Sequence, residues 1–375
     1  MTQGVSVFCY PEELEHVSPA KLAEQLLRIA DGVSLAVVYH RARRILPRHH
    51  AVSVLAGSGV YFEPDRARYG ALVPRRTAAP KLAEQVLRFR EACDTAGLRF
   101  RAWVVALHHD RLAAERPGAA SLLLDGSPAG HGLCPSSVET IEFAASLASD
   151  VAARLGPEAV DLEAAWYPAW EPSYTLTLSL EPLGERARLL GSQCFCTSCR
   201  TLLGPRAASL EARARAAAGP PFGDEASGDD QIAGELSAMR ATGAARLVEA
   251  VAGAVHGQGA RLRLFASGAP GQAALQGVSE PASAAADDLL FGCGPLAGDE
   301  LTARFTALSA CAGRTGAASL NWTPERSPAA FAADVERVVT AGADGLALYN
   351  LSLVPDAGLE AFRAASLAYR AAVPA

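Results

Sequence analysis

Apolar and polar positions along the chain switch between two periods. Short apolar runs of β type are followed by stretches with apolar residues at helical spacing. Val5–Tyr10 (VSVFCY) predicts a first strand. Ser18 to Ala30 predicts a helix, with Ser18 as N-cap, Pro19 at the first helical position, and Leu22, Leu26 and Ile29 on one face. Val33–Tyr39 (VSLAVVY) predicts a second strand, and a long irregular loop is expected from His40 to about Arg76. The unit then recurs: Lys81–Arg88 (KLAEQVLR) nearly repeats Lys21–Arg28 (KLAEQLLR). Repeated αβ units explain this, and chance among Ala/Leu-rich helices explains it equally well. Arg99–Leu107 predicts strand three, Ser137–Leu155 a helix, and Ala159–Leu162 strand four, ending in Glu163.

Pro168 to Ala217 is a long excursion, and Ala218 to Asp230 has the composition of a flexible loop. After a helix at Gln231–Gly257 come four short strands: Arg261–Ala266, Asp288–Phe291, Ala317–Trp322 and Gly345–Tyr349. Helices at Leu301–Ala312, Pro328–Ala341 and Ala357–Ala372 separate or follow them. Eight strands alternating with helices or long connections imply parallel pairing. The expected fold is α/β: one (β/α)8 TIM barrel over residues 1–375, with long βα loops and an insertion around 168–230. An open doubly wound sheet is the rival, but no G-x-G-x-x-G follows the first strand and no Walker-type loop occurs.

Composition narrows the function classes. The chain has 375 residues, of which 50% are hydrophobic and 20% charged, so it can bury a large core. A net charge of −6 argues against a general nucleic-acid binder. No segment reads as a membrane span, and Met1–Tyr10 lacks the basic start and long apolar run of a signal peptide. A cytoplasmic location is therefore expected, where disulfides are rare, and clustered cysteines point to metal or redox chemistry. The expected partner is a small-molecule carbohydrate or glycoside, with no nucleic acid and no membrane; a homo-oligomer is left open.

In a barrel, chemistry collects at the C-terminal ends of the strands. Those ends carry Tyr10, Glu12 and Glu13; Tyr39 and His40; Trp103, His108, His109 and Asp110; Asp161, Glu163 and Trp166; Ser267; Cys293; Asn321, Trp322 and Glu325; and Tyr349. Acids, imidazoles and aromatic platforms at one mouth suit a polar ring-shaped ligand such as a sugar. Glu163 ends an apolar strand, where burial would raise its pKa toward that of a general acid or base. A structural carboxylate is the alternative. Tyr39, His40, Trp103, His108, Trp166, Asn321, Trp322 and Tyr349 are candidate substrate-binding residues. Glycoside hydrolysis needs a second carboxyl. Glu325 is the candidate, with Glu12, Glu13, Asp110 and Glu171 as others. The basic run His40–His50 reads as a solvated loop or as a contact to an anionic sugar or phosphate.

Cys194-Phe195-Cys196-Thr197-Ser198-Cys199 brings three thiols within six residues. Thiolates at this spacing can converge on one tetrahedral ion, and Cys134 is a candidate fourth ligand. The expected cofactor is structural zinc, stapling the strand-three loop to the strand-four loop. Unliganded thiols and an iron–sulfur cluster are the alternatives.

These residues resemble those of the β-galactosidases of glycoside hydrolase family 42. That resemblance implies a zinc site at Cys134, Cys194, Cys196 and Cys199, an acid/base glutamate at Glu163, and a strand-seven nucleophile for which Glu325 is available. The chain differs in carrying Leu162, where the family has Asn before its acid/base residue. It is also similar to uncharacterised bacterial glycosidase-like barrels over roughly residues 1 to 205. The shared marks are Tyr39-His40, Val60-Tyr61-Phe62-Glu63-Pro64-Asp65, Trp103 with His108, Leu133-Cys134-Pro135 and Leu162-Glu163. A glycoside hydrolase is the leading expectation. An isomerase, epimerase or lyase using Glu163 and a histidine is a second, and a non-catalytic sugar-binding barrel a third.

Overall fold

Parallel strands covered by helices are buried on both faces, so they need nearly unbroken apolar sequence. Eight segments meet that condition. In a computed structural model, which describes residues 3–77, 79–168, 184–223, 229, 231–266 and 279–373, they close into a barrel. The strands are β1 (Gly4–Cys9), β2 (Gly32–Tyr39), β3 (Arg99–Val105), β4 (Ala159–Glu163), β5 (Arg261–Ala266), β6 (Asp288–Gly294), β7 (Ala317–Asn321) and β8 (Gly345–Tyr349). Each pairs in parallel with the next, and β8 pairs with β1 through Val5 opposite Leu346.

The outer helices are α1 (Pro19–Leu27), α2 (Pro80–Ala96), α3 (Val138–Leu155), α4 (Gln231–His256), α5 (Glu280–Ala284), α6 (Gly298–Ala312), α7 (Pro328–Thr340) and α8 (Asp356–Ala372). The two near-identical octapeptides lie on α1 and α2, leading into β2 and β3. The short helix α5 was absent from the sequence expectation. Among the described residues, no helix is long and apolar enough to cross a membrane.

The region from His40 to Arg76 is not an irregular loop. Ala42–Leu46 pairs antiparallel with Ala51–Leu55, and Gly59–Val60 adds antiparallel to β2. The hairpin hides from pattern reading because its pattern is inverted: Arg44 is buried, while Ile45, Val52 and Val54 are exposed.

Only alternate residues of each strand face the barrel interior. A lower layer is polar. Asp161 takes a forked contact from Arg263, at 2.8 Å from Nε and 2.5 Å from the second terminal nitrogen, and also accepts from Ser34. Ser6 lies 3.5 Å from Arg263. Two residues further along the same strands come Phe8, Trp103, Glu163 and Phe265. Phe8 packs edge-on against Trp103 at 4.8 Å and against Phe265 at 6.2 Å. Strand β2 reaches this face by a bulge: its register with β3 slips between Ala36 and Val38. The extra residue reverses the alternation, so Tyr39 rather than Val38 points into the mouth.

The Arg263–Asp161 side chains are about 2% and 1% exposed, so neither charge has solvent to fall back on. Arg263→Ala should therefore cost about 3–5 kcal/mol of unfolding free energy, because Asp161 is left charged and unpaired. Equilibrium urea unfolding measures this; a loss below about 1 kcal/mol would mean that the pair is not what holds the interior together.

Candidate active site

Glu163 ends β4 on the interior face, two residues beyond Asp161. Trp103 Nε1 donates to its Oε2 at 2.6 Å. Burial pushes the Glu163 carboxyl from 4.5 up to about 7, and the Trp103 bond partly opposes that rise. Among the described residues, no other carboxylate contributes to the shift.

An aromatic ring of side chains surrounds this pair. Trp103 stacks on Tyr10 at 5.5 Å and meets Tyr39 and Tyr349 edge-on at 5.1 and 5.8 Å. Tyr10 Oη lies 2.9 Å from Tyr39 Oη and 2.8 Å from Tyr349 Oη. Burial raises the pKa of all three phenols, and Glu163 adds to the rise in each. Over two of these rings sits Arg44, its guanidinium 4.0 Å from the Tyr10 ring and 4.4 Å from the Tyr39 ring. Glu12 anchors Arg44 at 2.7 Å and also accepts from Tyr61.

Histidines form the adjoining wall. His40 stacks on Tyr39 at 4.4 Å and meets His108 at 5.7 Å, and His108 meets His131 at 5.8 Å. Burial lowers the pKa of His40 and His108 and takes His131 down to about 4. These imidazoles are neutral near pH 7, and His40 spends its Nδ1–H on the Arg41 carbonyl at 2.7 Å, so its Nε2 is the accepting nitrogen.

Of the sequence-predicted residues, the structure gathers Glu163, Trp103, Tyr39, His40, His108 and Tyr349. Asn321 ends β7 directly opposite Tyr349 in the ladder. Trp166 is buried just past Glu163. Trp322 makes no ring contact with the cluster: its Nε1 donates to the Arg326 carbonyl at 2.8 Å, and its ring lies beside Gly358 of α8. Glu325 is exposed on the loop before α7, where backbone and Thr323 contacts hold its pKa down. Glu13 is buried between Arg48 and His49, each at 2.8 Å, and Asp110 pairs with Arg41. Glu171 and Ser267 lie outside the described residues. Arg44 and His131 were not singled out from sequence, and Tyr61 entered only as part of the motif Val60–Asp65. Arg44 lies in the basic run His40–His50, whose charge made it read as a solvated loop.

A second cluster lies beside the mouth. The Sγ atoms of Cys134, Cys194, Cys196 and Cys199 all fall within 4.8 Å of one another, and all four residues are buried. Cys134 Sγ is 3.5 Å from those of Cys199 and Cys196 and 3.8 Å from that of Cys194. A tetrahedral ion with metal–sulfur bonds of about 2.3 Å places its sulfurs roughly 3.8 Å apart, so the donor set fits a metal. Cys134 follows the hairpin Ala120–Leu122/Pro128–Leu133 after β3, and the others come from the insertion after β4. The cluster therefore joins the two loops. Tyr167 connects it to the Glu163 loop: its hydroxyl bonds Ser136 and lies 3.9 Å from Cys199 Sγ. Arg240 from α4 stands 4.7 Å over the Tyr167 ring and brings a buried positive charge to the thiols.

No family model matches the chain, and no curated protein matches it. Solved structures do. The chain is similar to the catalytic domain of a β-amylase from Paenibacillus polymyxa (TM-score 0.57, 13% identity, 99% of this chain and 98% of that one). It is similar to an α-L-fucosidase isoenzyme from Paenibacillus thiaminolyticus (TM-score 0.56, 13% identity, 98% and 49%). It is also similar to a GH42 β-galactosidase from G. stearothermophilus (TM-score 0.57, 10% identity, 99% and 57%). The chain thus spans about half the length of the fucosidase. At these identities the likeness establishes the fold: a (β/α)8 barrel of the kind that glycosidases use.

The Glu163 environment has a consequence for stability. Between pH 4.5 and about 7 the folded chain holds a proton at Glu163 that the unfolded chain has lost. Stability from this group therefore falls as pH rises through that window. Glu163→Gln should match the parent near pH 4 and exceed it at pH 8 by up to about 3 kcal/mol. Urea unfolding at the two pH values measures this, and equal stability at pH 8 would contradict the raised pKa.

Proposed function

We propose that the protein is a carbohydrate-active enzyme in which Glu163 is the general acid/base. The observation that carries this is a carboxyl with a pKa near 7, enclosed at the C-terminal end of β4 and held through one oxygen by Trp103. Such a group is partly protonated at neutral pH and can give or take a proton. Trp103, Tyr39 and Tyr349 offer apolar and hydroxyl surface to a sugar ring, while neutral His40 and His108 exchange hydrogen bonds with its hydroxyls. Asn321 and Trp166 flank the same strand ends.

Glycoside hydrolysis is the reaction to which the shared barrel fold lends support. Glu163 would protonate the leaving oxygen, and a second carboxyl would attack or activate water. Glu325 stands exposed before α7, so that role requires its loop to fold inward. A second reading is proton transfer on a sugar-like substrate, by an isomerase, epimerase or lyase. One observation favours it: the groups around Glu163 among the described residues are phenols, not carboxylates. Under either reading Glu163→Gln should lower turnover by about 10²–10⁴-fold without changing the far-UV circular dichroism spectrum. A panel of glycosides and free sugars tests this, and full turnover by the variant would overturn the assignment.

We also propose that the four cysteines hold a structural zinc ion. Buried soft thiolates at tetrahedral spacing suit zinc, and a set closed by four ligands leaves no position for substrate. The bound ion would tie the β3 loop to the insertion and, through Tyr167, brace the segment after Glu163. Purified protein should contain about one zinc per chain. Cys134→Ser with Cys199→Ser should release it and lower Tm by several degrees. Metal-free parent protein prepared without chelators would refute the site.

A further inference from the structure

Three tyrosine hydroxyls meet at the mouth, and their protons do not balance among themselves. Tyr10 contacts Tyr39 at 2.9 Å and Tyr349 at 2.8 Å. Those two contacts meet hydrogen-bond geometry and use two of the three phenolic protons, whereas Tyr39 and Tyr349 interact only loosely. One O–H is left to donate outside the trio. Tyr10 and Tyr39 are 3% and 6% exposed, whereas Tyr349 is only partly buried. Either oxygen of each contact can donate, and the arrangement that puts the outward proton on the more exposed Tyr349 has Tyr39 donating to Tyr10 and Tyr10 to Tyr349. Each donation makes the next phenol a stronger donor. Arg44, close above the Tyr10 and Tyr39 rings, supports negative charge drawn into the chain.

Such a chain suits an oxygen that becomes negative. Glycoside hydrolysis develops positive charge on the sugar instead. An O–H dipole aimed at a cationic centre gives no stabilisation, but aimed at an oxyanion it gives a great deal. The base for that chemistry is adjacent, because the Trp103 ring that packs on all three tyrosines also holds Glu163.

We propose that Tyr349 is a further catalytic residue: the terminal donor of a three-tyrosine chain that binds the oxyanion formed when Glu163 removes a proton from the carbon beside a carbonyl. The substrate class is a sugar or sugar acid with a free carbonyl. The proposal rests on the proton-transfer reading of Glu163. The Glu163 carboxylate takes the proton, the C–H electron pair becomes a carbon–carbon double bond, and the carbonyl π pair moves onto oxygen, where the Tyr349 O–H meets it. Return of the proton to the same carbon restores both carbonyl and carboxylate, with no redox partner needed. Tyr10 and Tyr39 are positioning residues that act through Tyr349.

The experiment incubates the full chain in D2O with a panel of aldoses, ketoses and 2-oxo sugar acids, and follows loss of the proton beside the carbonyl by NMR. The parent should exchange it and Glu163→Gln should not. Tyr349→Phe should slow exchange about 10²–10³-fold, and Tyr10→Phe by a smaller factor. Both should keep a Trp103 fluorescence titration near pH 7, which reports an intact Glu163 site. Exchange that needs Glu163 but is unchanged in Tyr349→Phe overturns the tyrosine chain and leaves the Glu163 reading standing. No exchange by the parent on any of these sugars overturns both. If Tyr349→Phe fails to fold, Tyr10→Phe decides: unslowed exchange in that variant sinks the chain.

Discussion

A closed ring of eight strands can turn only every second residue inward, and whatever it turns inward must fill the space. The rest of the molecule depends on that constraint. In the lower interior it is met by a buried ion pair, Arg263 with Asp161, rather than by branched aliphatic residues. The pair costs desolvation, which its forked geometry and the Ser34 contact offset. It sets the level from which the next inward residues rise: Glu163 two positions after Asp161, Trp103 two after Arg101, and Phe8 two after Ser6. The candidate catalytic group therefore stands directly above the charge pair, and its own surroundings are aromatic. Burial in those aromatic surroundings is what takes the Glu163 carboxyl up to about 7.

The insertion has its own small core. Leu124, Tyr167, Phe195, Leu210 and Leu236 pack around the four cysteines, apart from the main core. This cluster holds the helices Glu185–Gly191, Thr197–Leu203 and Ala207–Ala218, and a metal bound at the cysteines would add to its folding energy. It also touches the mouth. Ala164, right after Glu163, has φ +55, a conformation that costs a non-glycine residue roughly 1–2 kcal/mol. Three residues on, Tyr167 is locked between Ser136, Cys199 and Arg240. Those contacts tie the segment that follows the turn to the cysteine cluster.

Much of this was legible in the chain. Apolar runs separated by helical periodicity located all eight strands, because burial on both faces leaves little freedom in composition. Glu163 was legible because a carboxylate ending an apolar strand has few structural reasons to be there. The cysteines were legible because thiol spacing is itself a coordination geometry, and Cys134 matched them by residue type. What escaped was whatever depended on register. The β2 bulge that aims Tyr39 has no sequence mark, since Val37 and Val38 look alike. Arg44 read as solvated because burial of an arginine depends on Glu12, thirty-two positions away. Trp322 and Glu325, near in sequence to a strand end, turn aside because the loop before α7 folds outward onto Arg326 and Gly358.

By itself, then, the sequence determined the barrel, the position of one acid at its mouth and the identity of four metal-ligand candidates. Each of these follows from local composition and spacing. Only the tertiary structure decided what surrounds that acid. Whether its neighbours are carboxylates, phenols or imidazoles depends on which side chains from distant strands are turned inward at the same height. Here they are Tyr10, Tyr39, Trp103 and Tyr349, drawn from four strands. Their convergence buries one carboxyl, which raises its proton affinity to about neutrality, and links three hydroxyls, an outcome of tertiary burial that no local pattern encodes.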